Sequence, residues 1–149
     1  MRGEYYNDGN AVAYPLEDSF TGTPALIRTD SSVDFDWGEN SPDSAVSMDH
    51  FSVTWTGRVK APVSGLYTFR VTADDGIRLL FDGIKVVDGW KNQDPTTYVY
   101  TATLQAGTLY NIEVQFYEYA GRALCRLHWS YPGQVDQAIP QSQLFPPAN

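Results

Sequence analysis

From Phe51 to Ser130 apolar residues recur at every second position, in run after run, and no stretch of helical period reaches three turns. Period two gives an extended strand one buried face, whereas a helix needs its apolar residues three and four apart. The chain is therefore read as all-β. The runs predict strands at about 51–60, 66–73, 77–82, 84–88, 97–104, 109–117 and 122–130. Between them stand Pro62-Val63-Ser64-Gly65, Asp82-Gly83 and Gln105-Ala106-Gly107, all with turn chemistry, and Asp-Gly suits a two-residue hairpin. Strands so spaced predict an antiparallel β-sandwich or barrel.

The first 50 residues lack this period. They are rich in Asp, Ser, Pro and Gly, with Tyr5, Tyr6, Phe20, Leu26, Ile27, Phe35 and Trp37 scattered through them. They read as a long irregular N-terminal wrap containing about two strands. After Trp129 come Pro132-Gly133, Ile139-Pro140 and Leu144-Phe145-Pro146-Pro147, a closing segment with a linker beginning at 146–149. A chain of 149 residues is the size of one domain and buries roughly two-thirds of its unfolded surface. Residues 1–149 are thus expected to form a single monomeric module of a larger protein.

The charge of −8, with ten Lys and Arg against eighteen Asp and Glu, argues against nucleic acid and anionic membranes, which need a basic footprint. No apolar run is long enough for a membrane span, and no secretory h-region follows Met1. The single cysteine, Cys125, excludes an intrachain disulfide. It shares an apolar stripe with Ala123, Leu127 and Trp129, which makes it core filler rather than a reactive thiol. Four Trp, ten Tyr and seven Phe serve both sheet packing and recognition of amphipathic ligands such as sugars.

Asp74-Asp75-Gly76 stands between two alternating runs, Tyr67, Phe69, Val71 on one side and Ile77, Leu79, Phe81 on the other. It reads as a hairpin tip carrying two carboxylates, which either decorate a solvated turn or hold a hard cation. Antiparallel strands reverse direction at each connection, so connections fall alternately at the two ends of the fold. On that parity Asp74 and Asp75 share an end with Asp49, His50, Trp90, Asn92, Asp94, Glu118 and Tyr119.

Several motifs together resemble the PA-fourteen domain, named after the N-terminal part of anthrax protective antigen and found in yeast flocculins, bacterial adhesins and glycosidases. They are Gly3-Glu4-Tyr5-Tyr6, Phe51-Ser52-Val53-Thr54-Trp55-Thr56-Gly57, Gly65-Leu66-Tyr67-Thr68-Phe69, Asp74-Asp75-Gly76-Ile77-Arg78-Leu79 and Phe81-Asp82-Gly83, followed by Gly107, Tyr110, Glu118, Gly121, Ala123, Leu127 and Trp129. The resemblance implies an antiparallel sandwich or barrel. In sugar-binding members it implies a cis peptide between the acids at Asp74 and Asp75, a calcium ion held by both, and sugar hydroxyls bound to the ion. A cis bond lets neighbouring side chains point at one ion, which an extended chain does not. The other ligands would come from the loop Glu118 to Arg122: the Glu118 carboxylate and backbone carbonyls of Tyr119 or Gly121. Flocculins carry Asn and Trp in that loop, so their sugar preference is not transferred. The expected role is a calcium-dependent carbohydrate-binding module of a secreted or surface protein, with carbohydrate as partner. The alternative is a structural or protein-docking domain without a sugar site.

Each candidate has a plainer reading beside it. Glu118 is a ligand or an exposed loop charge. Trp90 stacks on a sugar or packs on the sandwich edge; Trp37 is a ligand platform or anchors the wrap. Tyr119 and Arg122 are sugar contacts by position, although Arg122 also suits pairing with Glu118. Trp55 and Trp129 belong to the core. An enzyme is not expected. Neighbouring acids in one tip do not flank a glycosidic bond, His50 and His128 lack metal-ligand spacing, and no Gly-x-Ser-x-Gly elbow is present.

Overall fold

The computed structural model describes residues 1–9, 13–15 and 20–149. Its strands are β1 (Arg2–Asn7), β2 (Leu26–Thr29), β3 (Asp34–Gly38), β4 (Phe51–Lys60), β5 (Gly65–Asp74), β6 (Gly76–Phe81), β7 (Ile84–Gly89), β8 (Thr96–Leu104), β9 (Leu109–Glu118), β10 (Ala123–Tyr131), β11 (Gln134–Ala138) and β12 (Leu144–Phe145). One sheet runs β2-β1-β4-β9-β6-β7, with β12 also on β4. The other runs β11-β10-β5-β8, with β3 also on β10. All pairings are antiparallel. The all-β sandwich is as expected, except that the described residues of the wrap supply three strands rather than about two. Among the described residues no helix is long and apolar enough to cross a membrane.

Alternation decides which side chains meet between the sheets. Phe51, Val53, Trp55 and Val59 from β4, Tyr67, Phe69, Val71 and Ala73 from β5, and Ile112, Val114 and Phe116 from β9 are fully or almost fully buried. Burying each large apolar side chain contributes about 1.5–3 kcal/mol. Cys125 lies in this core, and burial pushes its thiol well up, as befits filler. Trp129 also lies there. The Asp82-Gly83 turn is the expected hairpin. Both residues have positive φ, 48° and 80°, and Phe81 pairs with Ile84.

One expectation is overturned. Asp74-Asp75-Gly76 is not a hairpin tip, because β5 and β6 do not pair with each other. β5 pairs with β8 and β10, whereas β6 pairs with β7 and β9. The acid pair is the place where the chain leaves one sheet and enters the other. The connections β7–β8 and β9–β10 also change sheet, so three crossings gather at the same end. An alternating run has the same period whether its neighbour in sequence lies beside it or across the core, and period alone does not separate the two.

At the flank of β4, Leu144 and Phe145 pair with Val59 and Arg58, while β1 pairs with Thr56 through Phe51. Gly57 makes this close approach feasible. A Cβ there would lie 2.8 Å from the Phe145 carbonyl oxygen and 3.3 Å from Met1 Cγ. Pro146, where a linker was expected to begin, accepts a hydrogen bond from Arg58 Nε at 2.9 Å.

Candidate functional site

Glu118 closes β9 on the stripe that begins with Ile112, Val114 and Phe116, so period two turns a carboxylate toward the core. It is 0% exposed, and among the described residues neither of its carboxylate oxygens has a hydrogen-bond partner. A buried charge without a partner is costly, and buried polar groups in native proteins are almost always satisfied. Beside it the Asp74–Asp75 peptide bond is cis. Asp74, Asp75 and Glu118 each present one oxygen within 4.8 Å of the others. Asp74 and Asp75 are themselves 9% and 6% exposed.

Two loops fix Asp75. Its Oδ1 accepts the Gln93 backbone N–H at 2.9 Å, and its Oδ2 accepts the Tyr119 N–H at 2.8 Å. The 119–122 loop is anchored in turn: Gly121 N–H donates to Asp49 Oδ1 at 3.0 Å, and His50 N–H donates to the Tyr119 carbonyl at 3.1 Å. Asp49, His50, Glu118, Tyr119 and the acid pair thus meet at one end of the fold, as strand parity implies.

The other candidates are placed as follows. The Arg122 guanidinium meets Asp36 at 3.3 Å and does not pair with Glu118, so that alternative is overturned. Trp37 is stacked on Phe35 at 4.8 Å and touches Trp55, Phe51 and Phe116, so its ring is spent in the core rather than held out as a platform. The Trp90 ring lies under the Arg78 guanidinium at 4.0 Å and edge-on to Tyr117 at 4.8 Å. Tyr119 is 43% exposed and touches Tyr14 and His50. Sequence reasoning did not single out Gln93 or Tyr14. Neither carries charge, and both lie outside the alternating runs. For Glu118 a signal was present, namely an acid in register with an apolar stripe.

The electrostatics follow from enclosure. Burial pushes Glu118 up to about 9, with the charges of Asp75, Asp74 and Asp49 adding to it. Burial, then Asp75 and Asp94, raise Asp74 to about 6 against the opposing pull of Arg122. Asp75 is raised by burial too, though its two backbone N–H bonds oppose this. Folded-state values above unfolded ones mean that the metal-free fold holds protons the unfolded chain releases. The contribution of these acids to stability is therefore complete below the unfolded carboxylate range, near pH 4, and is lost as pH rises toward 9. In a chelator the melting temperature should fall by about 10 °C between pH 5 and pH 9. A melting temperature that is flat or rising over that interval would contradict the placement of Glu118.

The donor set fits a hard divalent cation. Among the described residues it comprises three carboxylates and no nitrogen or sulfur ligand, and two of its oxygens lack any other partner.

The family profile of the PA14 domain matches residues 6–143. The chain is 38% identical over 146 residues to the anti-sigma-I factor RsgI3 of Acetivibrio thermocellus, covering 98% of this chain and 21% of that protein. An anti-sigma factor domain-containing protein of known structure superposes with a TM-score of 0.87 at 38% identity, over 100% of this chain and 48% of that one. The chain thus spans about a fifth of the curated relative and about half of the solved one. A PA14 sugar-binding domain from an RTX adhesin superposes with a TM-score of 0.72 at 19% identity, over 99% and 97% of the two chains, a likeness of fold. With the profile matching residues 6–143 and the sandwich superposing on a PA14 domain, this chain belongs to the PA14 domain family.

Proposed function

We propose that this domain is a calcium-dependent carbohydrate-binding module that attaches the protein carrying it to polysaccharide or cell-surface glycan. The carrying observation is Glu118, a fully buried carboxylate with both oxygens unpartnered among the described residues, facing the Asp74 and Asp75 carboxylates. Asp74, Asp75 and Glu118 would hold the ion. The Tyr119 and Gly121 carbonyls are the loop's further donors, the first already accepting the His50 amide. Bound calcium supplies positive charge against three carboxylates and open positions that vicinal sugar hydroxyls can fill. Tyr119 and Arg122, exposed beside the acids, would contact the sugar, with Trp90, packed by Arg78, Tyr117 and Phe20, at the margin of the site. Extracellular modules work at the millimolar calcium found outside cells, which suits a secreted or surface location. A hydrolytic role is disfavoured, because a general acid must reach the glycosidic oxygen and Glu118 has no exposed surface.

Calorimetry is expected to show one calcium bound per chain. Asp75→Asn should weaken it by roughly 100-fold, since a carboxylate ligand is lost and an amide N–H₂ replaces an acceptor of backbone N–H. Glycan-array binding should disappear in chelator. Binding that survives chelation, or a wild-type chain that takes up no calcium, would sink this reading. The identity to an anti-sigma-I factor favours a second one, in which the domain is part of a regulatory protein and a protein surface is its partner. Partner capture unaffected by calcium, sugar and Asp75→Asn would favour that reading.

A further inference from the structure

We propose that Gln93, itself oriented by Tyr98, is the residue that positions Asp75 for the ion. The inference rests on the calcium reading above and adds to it a residue that carries no charge and is no ligand.

Gln93 holds Asp75 twice. Its backbone N–H donates to Asp75 Oδ1 at 2.9 Å, and its side-chain Nε2 donates to the Asp75 main-chain carbonyl at 3.0 Å. The second Nε2 hydrogen goes to the Gly89 carbonyl at 3.0 Å, and Oε1 accepts the Tyr98 hydroxyl at 2.8 Å. Each polar group of the amide therefore has a partner of the right sign. Turning the amide over would set Oε1 against two carbonyl oxygens. Tyr98 owes its position to Gly89, where a Cβ would lie 2.5 Å from the Tyr98 ring. Gly89 ends β7 in one sheet and Tyr98 belongs to β8 in the other. Both layers therefore converge on this one amide.

With the Tyr119 N–H on Oδ2, Asp75 has each carboxylate oxygen and its main-chain carbonyl tied. The carboxylate plane is thereby set before any ion arrives. Partners that orient a metal ligand commonly change metal affinity 10- to 100-fold when removed. Glutamine suits the place for reasons of chemistry. Glutamate would aim an oxygen at the Asp75 and Gly89 carbonyls and add charge beside three acids, and asparagine is one methylene too short.

The experiment titrates wild type, Gln93→Ala, Tyr98→Phe and Lys91→Ala with calcium, by calorimetry and by competition with terbium luminescence. Each chain is also followed metal-free by hydrogen exchange at the Tyr119 amide. Gln93→Ala should bind calcium ~10- to 100-fold more weakly. Tyr98→Phe, which loses one hydrogen bond and no packing, should bind roughly 5-fold more weakly. Lys91→Ala, an exposed change in the same loop, should match wild type. Faster Tyr119 exchange in Gln93→Ala, with Tyr98→Phe melting as wild type in chelator, would mark positioning rather than general loss of fold. Wild-type affinity in both Gln93→Ala and Tyr98→Phe would overturn the proposal. If wild type itself takes up no calcium, the calcium reading fails. Unchanged Tyr119 exchange in Gln93→Ala would then overturn the positioning as well.

Discussion

Glu118→Gln is expected to weaken calcium binding by roughly 100-fold or more and, in the absence of calcium, to make the fold more stable. The two effects have one cause. Glu118 is completely enclosed, with no hydrogen-bond partner on either oxygen among the described residues, and burial with three neighbouring acids raises it to about 9. Near neutral pH the metal-free fold must therefore keep a proton that the unfolded chain gives up, at a cost of about 2–4 kcal/mol. Glutamine removes that cost and brings two N–H donors toward Asp74 and Asp75. It also removes one of three anionic ligands, so affinity should fall by roughly 100-fold or more. Urea unfolding in chelator at pH 7.5, beside a calcium titration, reads both effects. A destabilised Glu118→Gln protein that still binds calcium would show that the buried carboxylate serves the core and not an ion.

Asp30→Ala should have the largest effect on the fold alone. Asp30 is 7% exposed and gathers three donors: Arg28 Nε at 2.7 Å on Oδ1, with the Tyr5 hydroxyl at 2.6 Å and Trp55 Nε1 at 2.8 Å on Oδ2. Arg28 also lies 4.7 Å from the centre of the Tyr5 ring. Removing the acid leaves the Tyr5 hydroxyl and the Trp55 indole N–H without their acceptor and takes the ion pair from Arg28, which keeps the Tyr5 hydroxyl and Pro42 carbonyl, at a cost of about 3–5 kcal/mol. The melting temperature should drop by roughly 10 °C. Calcium affinity should be unchanged, because none of these contacts touches the three acids. A loss below about 1 kcal/mol would mean that water replaces the carboxylate without penalty.

How far the sequence could be read depends on which interactions leave a local trace. The inward stripes of β4, β5, β9 and β10 were legible because burial on one face imposes period two. Asp82-Gly83 was legible because its positive φ values demand such residues. The placing of Asp74-Asp75-Gly76 at a sheet crossing was not, since what separates a crossing from a hairpin is the partner of β5, and β8 and β10 lie far along the chain. Trp37 was open for a similar reason: β3 has five residues, too few for a period to declare its inward face. The acid pair drew attention through charge and motif. Gln93 matters through geometry, which only the folded loop displays.

The meeting of the first and last strands over Gly57 has a practical consequence. β1 and β12 lie end to end along one flank of β4, and Met1 and Phe145 approach the same glycine. The domain is thus closed on itself like a ring with a narrow gap, of the kind that can be spliced into a surface loop of a host protein without prising that loop apart. β4 runs from Phe51, paired with Glu118 beside the acids, to Lys60 at the opposite end, where Leu144 and Phe145 attach. A graft made through that gap would hold the host away from the acids and leave them facing outward.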